Sequence, residues 1–207
     1  MIGYYNYTVI ATYLGLFAAV FGIANVVQDE LFMGVVCVIF AGLFDMFDGK
    51  IARMRRSTED ERAFGIQLDS LTDLVAFGVL PAAIGYGLNG RAEWFIVPMF
   101  FYVLTALIRL AYFNVSEYNR QQETSDVRHF YEGLPVTTAA LIFPLVWCFK
   151  PLFASDGAFG LFYTAVMVLT AVLFITPFKL KKPNLKGLLL FMVLGAVLFG
   201  VLIWQRI

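Results

Sequence analysis

Seven runs of mostly apolar residues, at about 7–27, 31–54, 64–88, 93–116, 134–152, 157–178 and 185–205, leave this chain one kind of fold. Each is close to the roughly 20 residues that an α-helix needs to cross a bilayer. In hydrocarbon every backbone N–H and C=O must find its partner inside the protein, so apolar runs of this length are expected as spanning helices. Charged or turn-forming segments separate them: Gln28-Asp29-Glu30, Arg53 to Arg62, Leu88-Asn89-Gly90-Arg91, Ser116 to Glu132, Ser155-Asp156-Gly157 and Lys179 to Lys186. Composition agrees, with 60% hydrophobic and 14% charged residues, where a soluble domain carries about a quarter charged. The expected fold is all-α, a polytopic membrane helical bundle. Residues 1–207 form a single integral membrane domain without internal repeats.

Acid and base balance at 15 residues each, so bulk charge names no partner and nothing points to nucleic acid. Position is more informative. With a cytoplasmic N-terminus, the inner loops hold Arg53, Arg55, Arg56, Arg62, Arg120, Arg128, Lys179, Lys181, Lys182 and Lys186. The outer segments hold only Arg91, Lys150 and Arg206. That bias follows the positive-inside rule and puts the C-terminus outside. Met1-Ile2-Gly3-Tyr4-Tyr5-Asn6 has no basic region or cleavage site, so the first helix is expected to stay as an anchor. Cys37 and Cys148 lie singly in apolar runs and read as buried thiols.

Four aspartates, Asp45, Asp48, Asp69 and Asp73, fall inside these apolar runs. A charged side chain at mid-bilayer costs roughly 2.5–3.5 kcal/mol, so four uncompensated carboxylates could cost on the order of 10 kcal/mol. Two divalent cations would balance the four charges. With no His or Cys nearby, hard oxygen ligands favour Mg²⁺ or Mn²⁺. Asp45 and Asp48 are three apart, and Gly65, Asp69 and Asp73 follow at intervals of four, so each set shares one helix face. The short link between the second and third helices makes them antiparallel neighbours. All four carboxylates are then expected at one depth, near the cytoplasmic interface, where a soluble substrate and a lipid can meet. Gly49, Ala52 and Gly65 leave room for a ligand or for a close-packed helix. Paired metals among carboxylates suit displacement at phosphorus, and a neighbouring carboxylate can take the proton of an attacking hydroxyl. Intramembrane acids also mark ion pathways, so a cation-coupled transporter is the alternative of another class.

The run Asp45-x2-Asp48-Gly49-x2-Ala52-Arg53-x11-Gly65-x3-Asp69-x3-Asp73 resembles the signature of the CDP-alcohol phosphotransferases. The gap before Gly65 exceeds the family's usual one of about eight, but it falls in a loop, where length is tolerated. These membrane enzymes join an alcohol to the phosphatidyl group of CDP-diacylglycerol, or a CDP-linked head group to a lipid. The resemblance implies that Asp45, Asp48 and Asp69 ligate two metal ions, while Asp73 shares a metal and acts as general base. It further assigns Asp48, Gly49, Ala52, Arg53, Gly65 and Thr8 to the nucleotide and CDP-lipid. It also implies a homodimer and a six-helix core over about 1–180, with an extra helix at about 185–205.

A second likeness concerns the acceptor. Arg109-Leu-Ala-Tyr-Phe-Asn114 and Phe130-Tyr-Glu-Gly133-Leu-Pro135 resemble markers of the membrane-integral CDP-diacylglycerol–serine O-phosphatidyltransferases. Thr8-x3-Thr12-x2-Gly15 follows their opening pattern, with Thr12 where asparagine is usual. The implied partners are CDP-diacylglycerol, L-serine and the lipid bilayer. Arg109 and Arg128 could supply a cation for serine's carboxylate and Glu132 an acceptor for its ammonium, with Asn114 nearby. Arg109 lies in an apolar run and must pair with something. Another acceptor within the same family, glycerol 3-phosphate, inositol or inositol phosphate, is the alternative. His129, alone of its kind, reads as a loop residue, and Pro81 and Pro98 as helix kinks.

Overall fold

The computed structural model describes residues 3–4, 9–52, 58–123, 130–181 and 185–206. Side chains of 48–52, 121–123, 130, 131, 181, 185, 186, 188–191 and 206 fall outside the description. The helices are α1 (Ile10–Val27), α2 (Leu31–Ala52), α3 (Glu59–Leu88), α4 (Ile96–Glu123), α5 (Ala139–Cys148), α6 (Asp156–Ile175) and α7 (Leu185–Arg206). Among the described residues, four stretches are long and apolar enough to cross a membrane: Ile10–Val27, Glu59–Leu88, Glu93–Arg120 and Asp156–Ile175. Shorter apolar stretches, Leu31–Phe47, Val136–Leu152 and Met192–Gln205, accompany them. This is an all-α membrane protein.

All seven expected helices are present, with boundaries that differ for physical reasons. α3 begins at Glu59, inside the segment read as a loop, because Thr58 and Glu61 form a reciprocal capping box. Glu59, Asp60 and Glu61 then place negative charge at the positive end of the helix dipole. α4 runs on to Glu123, well past the expected end at 116, and Arg120 bonds Glu117 at 2.7 Å along its polar surface. α5 is shorter than expected, flanked by 3₁₀ turns at Val136–Thr138 and Lys150–Leu152. Pro98 sits in the first turn of α4, where a missing N–H is harmless, so it ends up as a starter rather than a kink. A two-stranded antiparallel ladder, β1 (Phe130–Glu132) with β2 (Lys179–Lys181), had no counterpart in the reading of the sequence.

Packing follows membrane rules, in which small residues let backbones approach. α1 and α2 form the most extensive helix pair, and α2 also meets α3 and α5. A Cβ on Gly42 of α2 would stand 2.5 Å from Ala140 Cβ of α5, and one on Gly22 of α1 would stand 2.7 Å from Cys37 Cβ. Aromatic rings fill the centre: Tyr102, Phe143 and Tyr163 are fully buried, with ring centroids 5.6 and 5.1 Å apart in succession. Cys37 and Cys148 are free thiols. At one end of the bundle Arg91 ties the α1–α2 turn, donating to Asp29 at 2.7 Å and to the Val27 carbonyl at 3.1 Å.

Candidate active site

Three carboxylates meet at the opposite end. Oxygens of Asp45, Asp69 and Asp73 all lie within 4.8 Å of one another. α2 supplies Asp45, while the capped α3 supplies Asp69 and Asp73 one turn apart. Asp73 is buried and the other two are half-buried. At an effective dielectric of about 20, two unit charges this close repel by roughly 3 kcal/mol. Such a cluster can hold a cation, and its all-oxygen donor set fits a hard divalent ion. Asp48 lies three residues on in helical backbone, with its side chain outside the described residues.

A small, partly open cavity adjoins the cluster, lined by Ala11, Thr12, Gly15, Ala41, Asp45, Asp69, Thr72, Asp73, Ala76 and Phe77. The third wall is α1, which sequence reasoning gave no part in the metal site. Gly15 faces α2 and α3, and a Cβ there would make ordinary van der Waals contact with Phe44 at 3.7 Å and Thr72 at 3.8 Å. Thr12 and Thr72 are buried polar walls that went unassigned. The signal was present for Thr12, because its spacing to Gly15 puts both on one face of α1.

A model described as CDP-alcohol phosphatidyltransferase matches residues 6–177. The chain belongs to that family. Among its relatives, the CDP-diacylglycerol–serine O-phosphatidyltransferase of Saccharomyces cerevisiae is 37% identical over 128 residues, 60% of this chain. The match spans 45% of the Saccharomyces protein's length. The enzyme of that name from Helicobacter pylori (strain ATCC 700392 / 26695) is 32% identical over 180 residues, 82% of this chain and 71% of that protein. The Bacillus subtilis one is 32% identical over 155 residues, 73% and 75% of the two chains.

For a CDP-alcohol phosphatidyltransferase the surroundings of Gly65 matter. A Cβ on this glycine would meet no described atom within 4 Å, so helix packing does not account for it. Thr8, Arg53 and Arg128, together with Arg55, Arg56 and His129, lie outside the described residues. Gly49 and Ala52 are helical, and their surroundings lie outside the described side chains.

The two acceptor markers fold onto each other. Arg109, 5% exposed, donates from Nε to the Leu134 carbonyl at 3.2 Å and stacks its guanidinium 5.7 Å from the Phe113 ring centre. Tyr112 donates to Glu132 at 2.9 Å, and Glu132 is exposed. Between them Gly133 adopts φ +74°, and a Cβ there would sit 3.1 Å from the carbonyl oxygens of both Phe174 and Thr176. Only glycine fits that corner. Asn114 exchanges hydrogen bonds with Ser70 at 3.0 and 3.1 Å, which fastens α4 to α3 beside Asp69. None of Arg109, Asn114 and Glu132 lines the carboxylate cavity itself. Ser70 and Tyr112, the partners of Asn114 and Glu132, were not singled out; Tyr112 stands inside the first marker. Near the start of α3 the Tyr4 hydroxyl donates to Asp60 at 3.4 Å, and that negative charge raises the Tyr4 pKa above the usual phenol value.

Proposed function

We propose that this chain transfers the phosphatidyl group of CDP-diacylglycerol to the hydroxyl of L-serine, giving phosphatidylserine and CMP. The observation that carries the reaction class is the convergence of Asp45, Asp69 and Asp73 within 4.8 Å. In this reading Asp45, Asp48, Asp69 and Asp73 hold two Mg²⁺ or Mn²⁺ ions. Bound there, the ions neutralise phosphate charge and stabilise the leaving oxygen of CMP. Asp73 takes the serine hydroxyl proton as the new P–O bond forms and the bond to CMP breaks. Gly65, open on its helix face, receives the nucleotide with Thr8, Asp48, Gly49, Ala52 and Arg53.

Serine as acceptor is supported by the names of the relatives. Among the described residues Asp73 and Arg109 are the buried charges. One buried cation matches one carboxylate on the acceptor, whereas a phosphorylated alcohol calls for a denser basic pocket. Arg109, Asn114, Arg128 and Glu132 are proposed to shape that seat. The enzyme works as a homodimer with the carboxylate end at the cytoplasmic surface; the excess of Arg and Lys in the segments at that end supports the orientation.

Purified protein supplied with CDP-diacylglycerol, Mg²⁺ or Mn²⁺ and labelled serine is expected to form a serine-containing lipid and CMP, and chelation is expected to stop both. Competing glycerol 3-phosphate, inositol and inositol phosphate should leave serine incorporation unchanged. CMP release with one of those alcohols and none with serine would overturn the acceptor while keeping the family reaction.

A further inference from the structure

The helix that carries Asp69 and Asp73 does not continue above them as an ordinary α-helix. Leu74–Val79 is π-wound, and the Leu80 N–H bonds the Val75 carbonyl, five residues back. α-Winding resumes at Leu80, with Pro81 in its first turn. Pro81 has no N–H, so the Phe77 carbonyl, four residues before it, has lost its α-helical donor. Where no water reaches, an open carbonyl is a serious penalty. The hydroxyl of Tyr102, from α4, fills the gap at 2.7 Å. Tyr102 is 0% exposed and Phe77 is 1% exposed, so no solvent competes for that bond. One turn further along, Tyr163 of α6 donates to the Pro81 carbonyl at 2.9 Å.

Each residue of an α-helix advances the side-chain direction by about 100°, so one extra residue in a turn rotates everything below it by that amount relative to everything above. Above the π-turn, Leu80 and Ile84 face the core. Below it, Asp69, Thr72 and Asp73 face the cavity, and Ala76 and Phe77 of the turn itself form part of the lining. We infer that Tyr102 is a positioning residue: its hydroxyl holds the π-turn made necessary by Pro81, and the turn aims Asp69 and Asp73 at Asp45. The inference rests on the proposed metal site, and it assigns no contact with substrate.

The test uses the full chain in detergent and Mn²⁺ alone, titrated by electron paramagnetic resonance, so that no turnover is required. Tyr102→Phe keeps the ring against Phe143 and Phe174 and removes only the hydroxyl. It is expected to weaken Mn²⁺ binding about tenfold, the lower end for groups that orient metal ligands. Tyr163→Phe removes a comparable buried hydrogen bond beyond the π-turn, and should lower the melting temperature while leaving Mn²⁺ affinity within about twofold of the parent, since it orients no ligand. Pro81→Ala returns a donor to the Phe77 carbonyl and lets the helix rewind, so it should weaken Mn²⁺ binding in a well-folded protein. Wild-type affinity in Tyr102→Phe or in Pro81→Ala, or an equal loss in Tyr163→Phe, would overturn the inference. Asp45→Asn separates the two levels: unchanged Mn²⁺ binding there sinks the metal site, and the role of Tyr102 with it.

Discussion

Of the three clustered carboxylates, Asp73 is the buried one. That burial suits a group kept from bulk water until an alcohol arrives. Asp73→Asn preserves shape and removes the proposed proton acceptor, so turnover should fall by about 10²–10⁴, the usual span for a general base. Binding of CDP-diacylglycerol, followed with a fluorescent analogue, should persist; a fully active variant would remove Asp73 from the role. Gly133→Ala tests the corner between the markers. A left-handed conformation costs an alanine about 1–2 kcal/mol, and here two carbonyls at 3.1 Å add to it. The variant should melt at lower temperature in detergent and, on the proposed reading, show a raised KM for serine, since Arg109 bonds the neighbouring Leu134. At this scale the sequence was generous with the aspartates, because a charge in an apolar run is costly enough to be conspicuous. It was silent on the Ser70–Asn114 and Tyr112–Glu132 pairs, since neutral or exposed polar residues create no such anomaly.

At the scale of the element, α3 supplies two of the three clustered carboxylates and is legible in the sequence only in part. Its apolar half was plain, but its start was placed late because Glu59 to Arg62 are charged and look like loop. The capping box supplies what hydropathy lacks. Thr58→Ala should therefore destabilise the protein by about 1 kcal/mol in unfolding titrations, with turnover per folded molecule unchanged. A larger loss of turnover would mean that the cap also sets the height of Asp69. The π-turn was illegible for a different reason. Pro81 announced a disturbance, but the form it takes depends on Tyr102, a residue of another helix.

For the whole molecule, the length of the apolar runs was enough to give seven helices and their order, because spanning length is a strict demand. The ladder between β1 and β2 was beyond reach, since three-residue strands far apart in sequence leave no pattern. Which end faces the cytoplasm can be read by labelling. Gly157, exposed with open space at its Cβ position, marks one end, and exposed Lys179 marks the other. In vesicles of right-side-out orientation, an impermeant maleimide should label Gly157→Cys and spare Lys179→Cys, and inverted vesicles should reverse the result. Labelling of both from one side would refute the arrangement.

The ladder also bears on how such a protein comes into being. The residues lining the carboxylate cavity have all been synthesised once the ribosome has passed Phe77, and Tyr102, whose hydroxyl bonds the Phe77 carbonyl, follows in α4. The corner at Gly133 is different: its N–H bonds the Phe178 carbonyl, and β1 waits for Lys179–Lys181. On the proposed reading, a nascent chain owns its cation site early and its alcohol seat only after α6 has been inserted. A chain halted at Ile175 would thus emerge as half an enzyme, able to gather metal without completing the place where serine is received.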